Sequence, residues 1–186
     1  MRRAFWSALA LLFAAGCTQG VPPLNFSVPS ISPSERKVFA EVKSVTVAFA
    51  AAEEQERKFD PGDEIIAPIW KTALEEALNR SAIFQDNSNR KVSISVKIIK
   101  IYFPPFGMEF TTTTVALYQV LDRLSGAILY SERIESIGIT PSNFAFLGVA
   151  RARESVNRSI QANITKFISS VSSMRLGLPQ PLINGS

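Results

Sequence analysis

Hydrophobic and polar residues alternate with a period of two in four segments of the chain. These segments lie near residues 42–49, 91–103, 110–121 and 127–137. Because successive side chains of a strand point to opposite faces, this alternation predicts four strands, each with one face in a core. In the second segment the phase slips between Ile98 and Ile99, which predicts a β-bulge or a change of the exposed face.

Two other segments repeat hydrophobic residues every three or four positions, as amphipathic helices do. The first begins near Ala67, with Pro68 in its first turn or at a kink, and the second runs from about Leu147 to Ser172. The predicted order β-α-β-β-β-α implies a parallel crossover followed by antiparallel hairpins. We therefore predict an α+β two-layer sandwich, with a four-stranded, mostly antiparallel sheet and two helices on one face.

The N-terminus has the features of a secretory signal. Arg2 and Arg3 precede an uncharged, mostly apolar stretch at residues 4–15, which Gly16 and Cys17 follow. A membrane span needs about 20 apolar residues, so the stretch is too short for one. A short positive region, an apolar region and small residues before a cleavage site are typical of a signal peptide. Cys17 is the one cysteine of the chain.

The tetrapeptide Ala14-Ala15-Gly16-Cys17 resembles the bacterial lipobox, with Ala at the position where Leu is commonest. The resemblance implies cleavage between Gly16 and Cys17, a diacylglycerol on the thiol, and a fatty acid such as palmitate on the new amine. Two or three acyl chains make attachment to a membrane lasting. Thr18, where inner-membrane lipoproteins carry Asp, implies the outer membrane. The alternative is an ordinary signal peptide followed by a chance cysteine.

Residues 18–33 contain four prolines and no charge, so they predict an extended tether that spans at most about 50 Å. Leu24, Phe26, Val28 and Ile31 leave open that part of the tether lies on the domain or on a partner. The predicted organisation is a signal peptide at 1–16, a lipidated N-terminus and tether at 17–41, an α+β domain at 42–176, and an irregular tail at 177–186. We expect residues 34–176 to fold alone.

The body of the chain is similar, in layout and length only, to small outer-membrane lipoproteins. The YajG-type lipoproteins are the nearest, and the lipopolysaccharide-assembly lipoprotein and the auxiliary lipoproteins of lipid-transport ABC systems are more distant. No residue motif supports a choice among them. Cys17 is therefore the one functional residue that the resemblance carries over to this sequence.

Composition and charge exclude several classes of function. The chain has no histidine and one cysteine, which removes intramolecular disulfides, ordinary zinc sites and Ser-His or Cys-His catalysis. The net charge of +4 falls to +2 when Arg2 and Arg3 leave with the signal peptide, and no basic run suggests nucleic acid. Phosphate-binding and nucleophile-elbow motifs do not occur. We therefore expect no cofactor, no metal and no nucleic-acid partner.

Few polar residues are candidates for chemistry. Glu75 and Glu76 are neighbours on the first helix, where adjacent side chains point about 100° apart and do not converge on a substrate. A solvated helix surface explains both carboxylates. Thr111 to Thr114 are typical of the solvent-facing side of a strand.

Aromatic residues crowd two connections, where polar residues are the norm. Phe103, Phe106 and Phe110 surround Pro104 and Pro105, while Phe144 and Phe146 precede the second helix. The clusters either close the ends of the core or form a lip that binds a lipid or a protein. If they close the core, replacement of Phe106 or Phe146 by Ser costs about 3–5 kcal/mol; if they form a lip, it costs little.

The functional hypothesis is a non-enzymatic lipoprotein on the periplasmic face of the outer membrane. It would be held there by lipids on Cys17 and would assist binding or assembly in the cell envelope through a protein or lipid partner. Two alternatives stay open. One is an envelope enzyme that acts on lipid or glycan through carboxylate, Tyr or Lys residues, and the other is a subunit of a transport or secretion complex.

Overall fold

The computed structural model describes residues 20–173, which form one four-stranded sheet and two long helices. The elements are β1 (Glu41–Phe49), α1 (Ile66–Ser81), β2 (Lys91–Tyr102), β3 (Phe110–Asp122), β4 (Ile128–Thr140) and α2 (Gly148–Ser173). The strand order is β1-β2-β3-β4, with β1 parallel to β2 and the other neighbours antiparallel. The predicted α+β architecture and element order are confirmed.

The phase slip in β2 is a bulge. The pairing of β2 with β3 shifts between Ile98 and Lys100, so Ile99 is the extra residue. The shift returns Ile101 to the buried face, where Ile98 also lies. One inserted residue thus keeps the hydrophobic pattern aligned with the core over a strand of 12 residues.

Both helices pack on the same face of the sheet and enclose the core. From α1, Trp70 and Leu74 are fully buried, and from α2, Ile160 and Phe167 are. Phe167 stacks on Tyr118 of β3 with 4.4 Å between ring centroids. Pro68 lies in the first turn of α1, where its missing N–H has no helical acceptor in any case.

A stripe of small residues brings the backbone of α2 very close to β3 and β4. A Cβ placed on Gly138 would lie 2.2 Å from both the Ser155 carbonyl oxygen and the Ser159 nitrogen. The Ser159 hydroxyl donates to Thr114 Oγ1 over 2.7 Å. The prediction for the threonine run was wrong at Thr112 and Thr114, which are fully buried against α2 rather than in solvent.

The segment before β1 is part of the folded domain for most of its length. Phe26 is 0% exposed and meets Trp70 of α1 edge-on at 6.5 Å, and Val28 is also buried. Because Phe26 and Val28, like Val38 and Ala40, lie in the core, the domain starts before residue 42. Of the possibilities left open for this segment, packing on the domain is the one that the structure shows from Leu24 onwards, and a fragment that starts at residue 34 lacks part of the core.

Polar contacts hold this segment in the groove between the two helices. The Asn25 N–H donates to Asn157 Oδ1 of α2 over 3.0 Å, and Arg80 of α1 donates to the Val28 carbonyl oxygen over 2.8 Å. At the far end, the Ser34 N–H donates to the carbonyl oxygen of Ser81, the last residue of α1. The extended backbone has no sheet partner here, so helix side chains satisfy it.

Candidate functional site

The topology gathers all the aromatic connections at one end of the molecule. β1 and β2 end there, β3 begins where Tyr102 pairs with Thr113, and β4 ends where Thr140 pairs with Phe110. Both helices begin at this end, because each follows a strand that finishes there. The connection from β2 to β3 (103–109) and the connection from β4 to α2 (141–147) therefore lie at the same end of the sheet, although the β3–β4 hairpin separates them in sequence.

An exposed apolar surface covers this end, and we call it the apolar rim. Its members are Phe103, Phe106, Met108, Phe144, Phe146 and Leu147, all of which the structure leaves exposed. Phe106 is 83% exposed and Phe146 is 96% exposed, so neither closes the core. Apolar clusters of this kind on a protein surface mark interaction sites.

Phe110 is not part of this surface. Its ring is only 5% exposed, at the edge of the core, where Gly148 of α2 approaches it closely. Phe110 shares the even-numbered face of β3 with Tyr118 and Val120, both fully buried. The inclusion of Phe110 in a lip was therefore wrong, and the period-two pattern of β3 contains the signal that would have excluded it.

Arginine side chains lie over the aromatic rings at this end. The guanidinium carbon of Arg57 is 5.7 Å from the centroid of the Phe103 ring, and that of Arg158 is 5.3 Å from the Phe144 ring. Arg151 lies 5.8 Å from the Phe110 ring. These distances are within the range of cation–π attraction. The rim is thus an aromatic surface with fixed cations around it.

Backbone carbonyls hold two of these arginines in place. Arg151 Nη1 donates to the carbonyl oxygens of Ala145 and Phe146 over 2.6 and 3.0 Å. Arg158 donates to the Ile139 carbonyl oxygen over 2.9 Å and to Glu154 over 2.8 Å. The loop that presents Phe146 is therefore fixed by α2, and the phenyl ring projects from an ordered backbone.

A cleft of about 260 Å³ opens beside the rim, between the starts of the two helices. Ile65, Ile101, Phe103 and Val149 give it an apolar lining, to which Leu24 of the N-terminal segment contributes. Its volume is slightly below the range of about 300–1,000 Å³ that is usual for small-molecule sites. The cleft therefore suits a single apolar group better than a whole substrate.

The carboxylates near the cleft are engaged in local structure. Asp63 Oδ2 accepts the N–H of Asp60 over 2.9 Å, and Asp60 lies 3.6 Å from Arg57. On α1, Glu75 pairs with Lys71, while Glu76 accepts from Ser27 and Arg80. Within residues 20–173, no group of three or more His, Cys, Asp or Glu side chains is placed to bind a metal ion.

The buried hydroxyl groups between α2 and the sheet are bonded to each other. Thr112 Oγ1 lies 2.6 Å from Ser155 Oγ, and the Asn163 amide donates to Ser136 Oγ over 2.8 Å. No ionisable base belongs to these contacts, and solvent does not reach them. These contacts pair hydroxyl groups and the Asn163 amide nitrogen under a close helix, which is a structural role, and leave Asn163 Oδ1 without a hydrogen-bond partner among the described residues.

The predicted lipidation and cleavage site lies outside the described residues. Gly16, Cys17 and the signal peptide precede residue 20, and the predicted irregular tail at 177–186 follows residue 173. Of the two helices in the described range, neither is long and apolar enough to cross a membrane. Lipidation of Cys17 stays a prediction from the sequence.

Comparison with solved structures identifies the fold. A crystal structure of a Xanthomonas campestris protein of the DUF330 family aligns with a TM-score of 0.53 and 10% sequence identity, covering 76% of this chain and 90% of that one. A minor lipoprotein from Acinetobacter baumannii aligns with a TM-score of 0.45 and 12% identity, covering 73% and 92%. No protein-family model and no curated protein matches the sequence. At this identity the first match shows a shared fold and nothing more.

Proposed function

We propose that this protein is a lipoprotein of the bacterial cell envelope that is anchored to the periplasmic face of the outer membrane through lipids on Cys17. The observation that carries the proposal is the sequence Ala14-Ala15-Gly16-Cys17 directly after an apolar signal region, with the only cysteine of the chain at the position that lipidation requires. The Thr that follows supports the outer membrane as its destination.

The role we propose is non-enzymatic binding in the envelope, in support of assembly or transport. The exposed apolar rim supports this role, because several exposed apolar side chains at one end of a domain mark an interaction site. The alternative of an enzyme needs a convergent set of ionisable groups. The carboxylates near the cleft are bound to backbone N–H groups or arginines instead.

Metabolic labelling with a fatty acid tests the anchor. The wild type and a Thr18→Ser control should incorporate the label and sediment with membranes, whereas Cys17→Ser should do neither. The Cys17→Ser protein should still be folded, because the core residues within the described range 20–173 all follow Pro23. Labelling of the Cys17→Ser variant, or no labelling of the wild type, would contradict the lipoprotein assignment.

A charge at position 18 tests the membrane to which the protein is sorted. In a Gram-negative host, Thr18→Asp should move the labelled protein from the outer-membrane to the inner-membrane fraction on a density gradient. Thr18→Ser serves as the control and should stay in the outer-membrane fraction. Recovery of the labelled Thr18→Ser control in the inner-membrane fraction would refute sorting to the outer membrane and leave the lipid anchor intact.

A further inference from the structure

We propose that the apolar rim rests on the phospholipid surface to which Cys17 anchors the chain. The inference depends on the proposed lipid anchor and adds the orientation of the domain and the occupant of the rim. Phe106, Met108 and Phe146 would enter the interfacial layer of the bilayer, and the rest of the domain would point away from it.

The path of the N-terminal segment places the anchor at the rim end of the molecule. Leu24 lines the cleft beside the rim, and Ser34 binds the last residue of α1 at the opposite end. The chain therefore approaches the domain from the side of the rim. Leu24 follows Cys17 by seven positions, which span at most about 25 Å. A lipidated Cys17 cannot lie far from the rim.

The residue types fit a membrane interface. Arginine combines an apolar stem with a charged group and is favoured where hydrocarbon meets water, while Phe, Leu and Met side chains supply apolar area that can enter the boundary between headgroups and acyl chains. Arg151 is held by the carbonyl oxygens of Ala145 and Phe146, but Arg153 is exposed and has no carboxylate partner within residues 20–173, so it is free to meet lipid phosphates. Exposed Glu64 and Glu109 offset the charge of Arg153, so apolar contact, and not net charge, provides the attraction.

Because the lipid anchor already holds the protein at the membrane, a rim with low affinity for lipid is sufficient to orient the domain. A short connection holds the groups at its two ends at an effective concentration in the millimolar range. A surface with a few exposed apolar side chains, which binds vesicles only weakly as a separate molecule, then stays on the membrane most of the time. The opposite end of the domain lacks this advantage, although Leu124 in its hairpin is 99% exposed.

Tryptophan fluorescence of the full lipidated protein tests the orientation. Phe146→Trp and the matched control Leu124→Trp are reconstituted into vesicles of phosphatidylethanolamine and phosphatidylglycerol, with or without bromine on the acyl chains. Bromine should quench Phe146→Trp several-fold more than Leu124→Trp, and the emission of Phe146→Trp should shift to shorter wavelength. High salt should not reverse either effect. Trp70 is fully buried in both variants and gives the same background.

Each other outcome overturns the inference in a recognisable way. Equal quenching in the two variants, while both float with the vesicles, means that the domain has no preferred orientation, although the anchor is present. A blue shift of Phe146→Trp without quenching means that a second copy or another protein covers the rim. Failure of both variants to float with the vesicles contradicts the proposed anchor itself.

Discussion

Replacement of Phe26 by Ala tests whether the N-terminal segment belongs to the fold. The ring is fully buried between the helices and meets Trp70 edge-on at 6.5 Å. Removal of a buried phenyl ring costs about 3–5 kcal/mol in unfolding free energy, from lost transfer energy and the cavity that remains. The stability of a domain is about 5–15 kcal/mol, so the variant should fold but unfold at a much lower denaturant concentration.

The assay is urea denaturation of the polypeptide from Thr18 onwards, followed by circular dichroism. Phe39→Ala is the matched control, because Phe39 is the same residue type in the same region before β1 but is mostly exposed. We expect the control to lose less than about 0.5 kcal/mol. If the whole segment detaches in Phe26→Ala, the dependence on urea should also become shallower, since less surface is then buried in the folded state.

The comparison between the two phenylalanines decides the result. A loss for Phe26→Ala within about 1 kcal/mol of the loss for Phe39→Ala would refute the reasoning, because it falls below the cost of a buried ring. The segment from Leu24 would then be a loose tether, and the short distance from anchor to rim would no longer hold.

Three further predictions follow from the packing and the charges. Gly138→Ala should cost at least about 2 kcal/mol in a thermal melt, because its Cβ meets the α2 backbone, whereas Gly20→Ala has open space and should cost almost nothing. Phe106→Ser and Phe146→Ser should each cost less than about 1 kcal/mol in the same melt, and a loss of 3 kcal/mol or more would show that the rim closes the core. Ser170 and Tyr130 donate hydrogen bonds to Glu132 and lower its pKa below the ordinary 4.5. The Glu132 carboxylate therefore stabilises the fold above pH 4.5, and this stabilisation is lost as the pH falls through the lowered pKa. Glu132→Gln should therefore reduce the stability near neutral pH by about 1 kcal/mol or less and lose less on acidification, and an unchanged acid profile would contradict the sign.

The periodic parts of the sequence were sufficient to predict the architecture. The positions of strands and helices follow from how side chains are distributed over a pleated or helical backbone. The bulge at Ile99 could be predicted for the same reason, because it shifts the alternation of β2 by one residue. Thr112 and Thr114 were misjudged, because residue type favoured solvent while the period of β3 placed them with Tyr118. Where the residue type and the period of the strand gave different predictions for a side chain, the period was correct.

The segments outside the sheet and the helices could not be placed from sequence. Leu24, Phe26 and Val28 alternate with Asn25 and Ser27, but the prolines around them exclude a central strand, and the burial of Phe26 depends on a groove that exists only after two distant helices pack together. Phe106 and Phe146 lie in connections, so no strand period predicts whether their side chains are buried. Phe110 belongs to β3, whose period places its side chain on the buried face. The chemistry of the rim was visible in the sequence, but its position at one end of the molecule depended on topology.

The mass of the intact protein, purified from the membranes of its own bacterium, tests the central claim most directly. We predict a chain that begins at Cys17 and carries the added mass of a diacylglycerol and an N-linked fatty acid, with the lipid on the Cys17 peptide after digestion. A chain that begins at another residue, or one that contains Cys17 as a free thiol, would contradict the account.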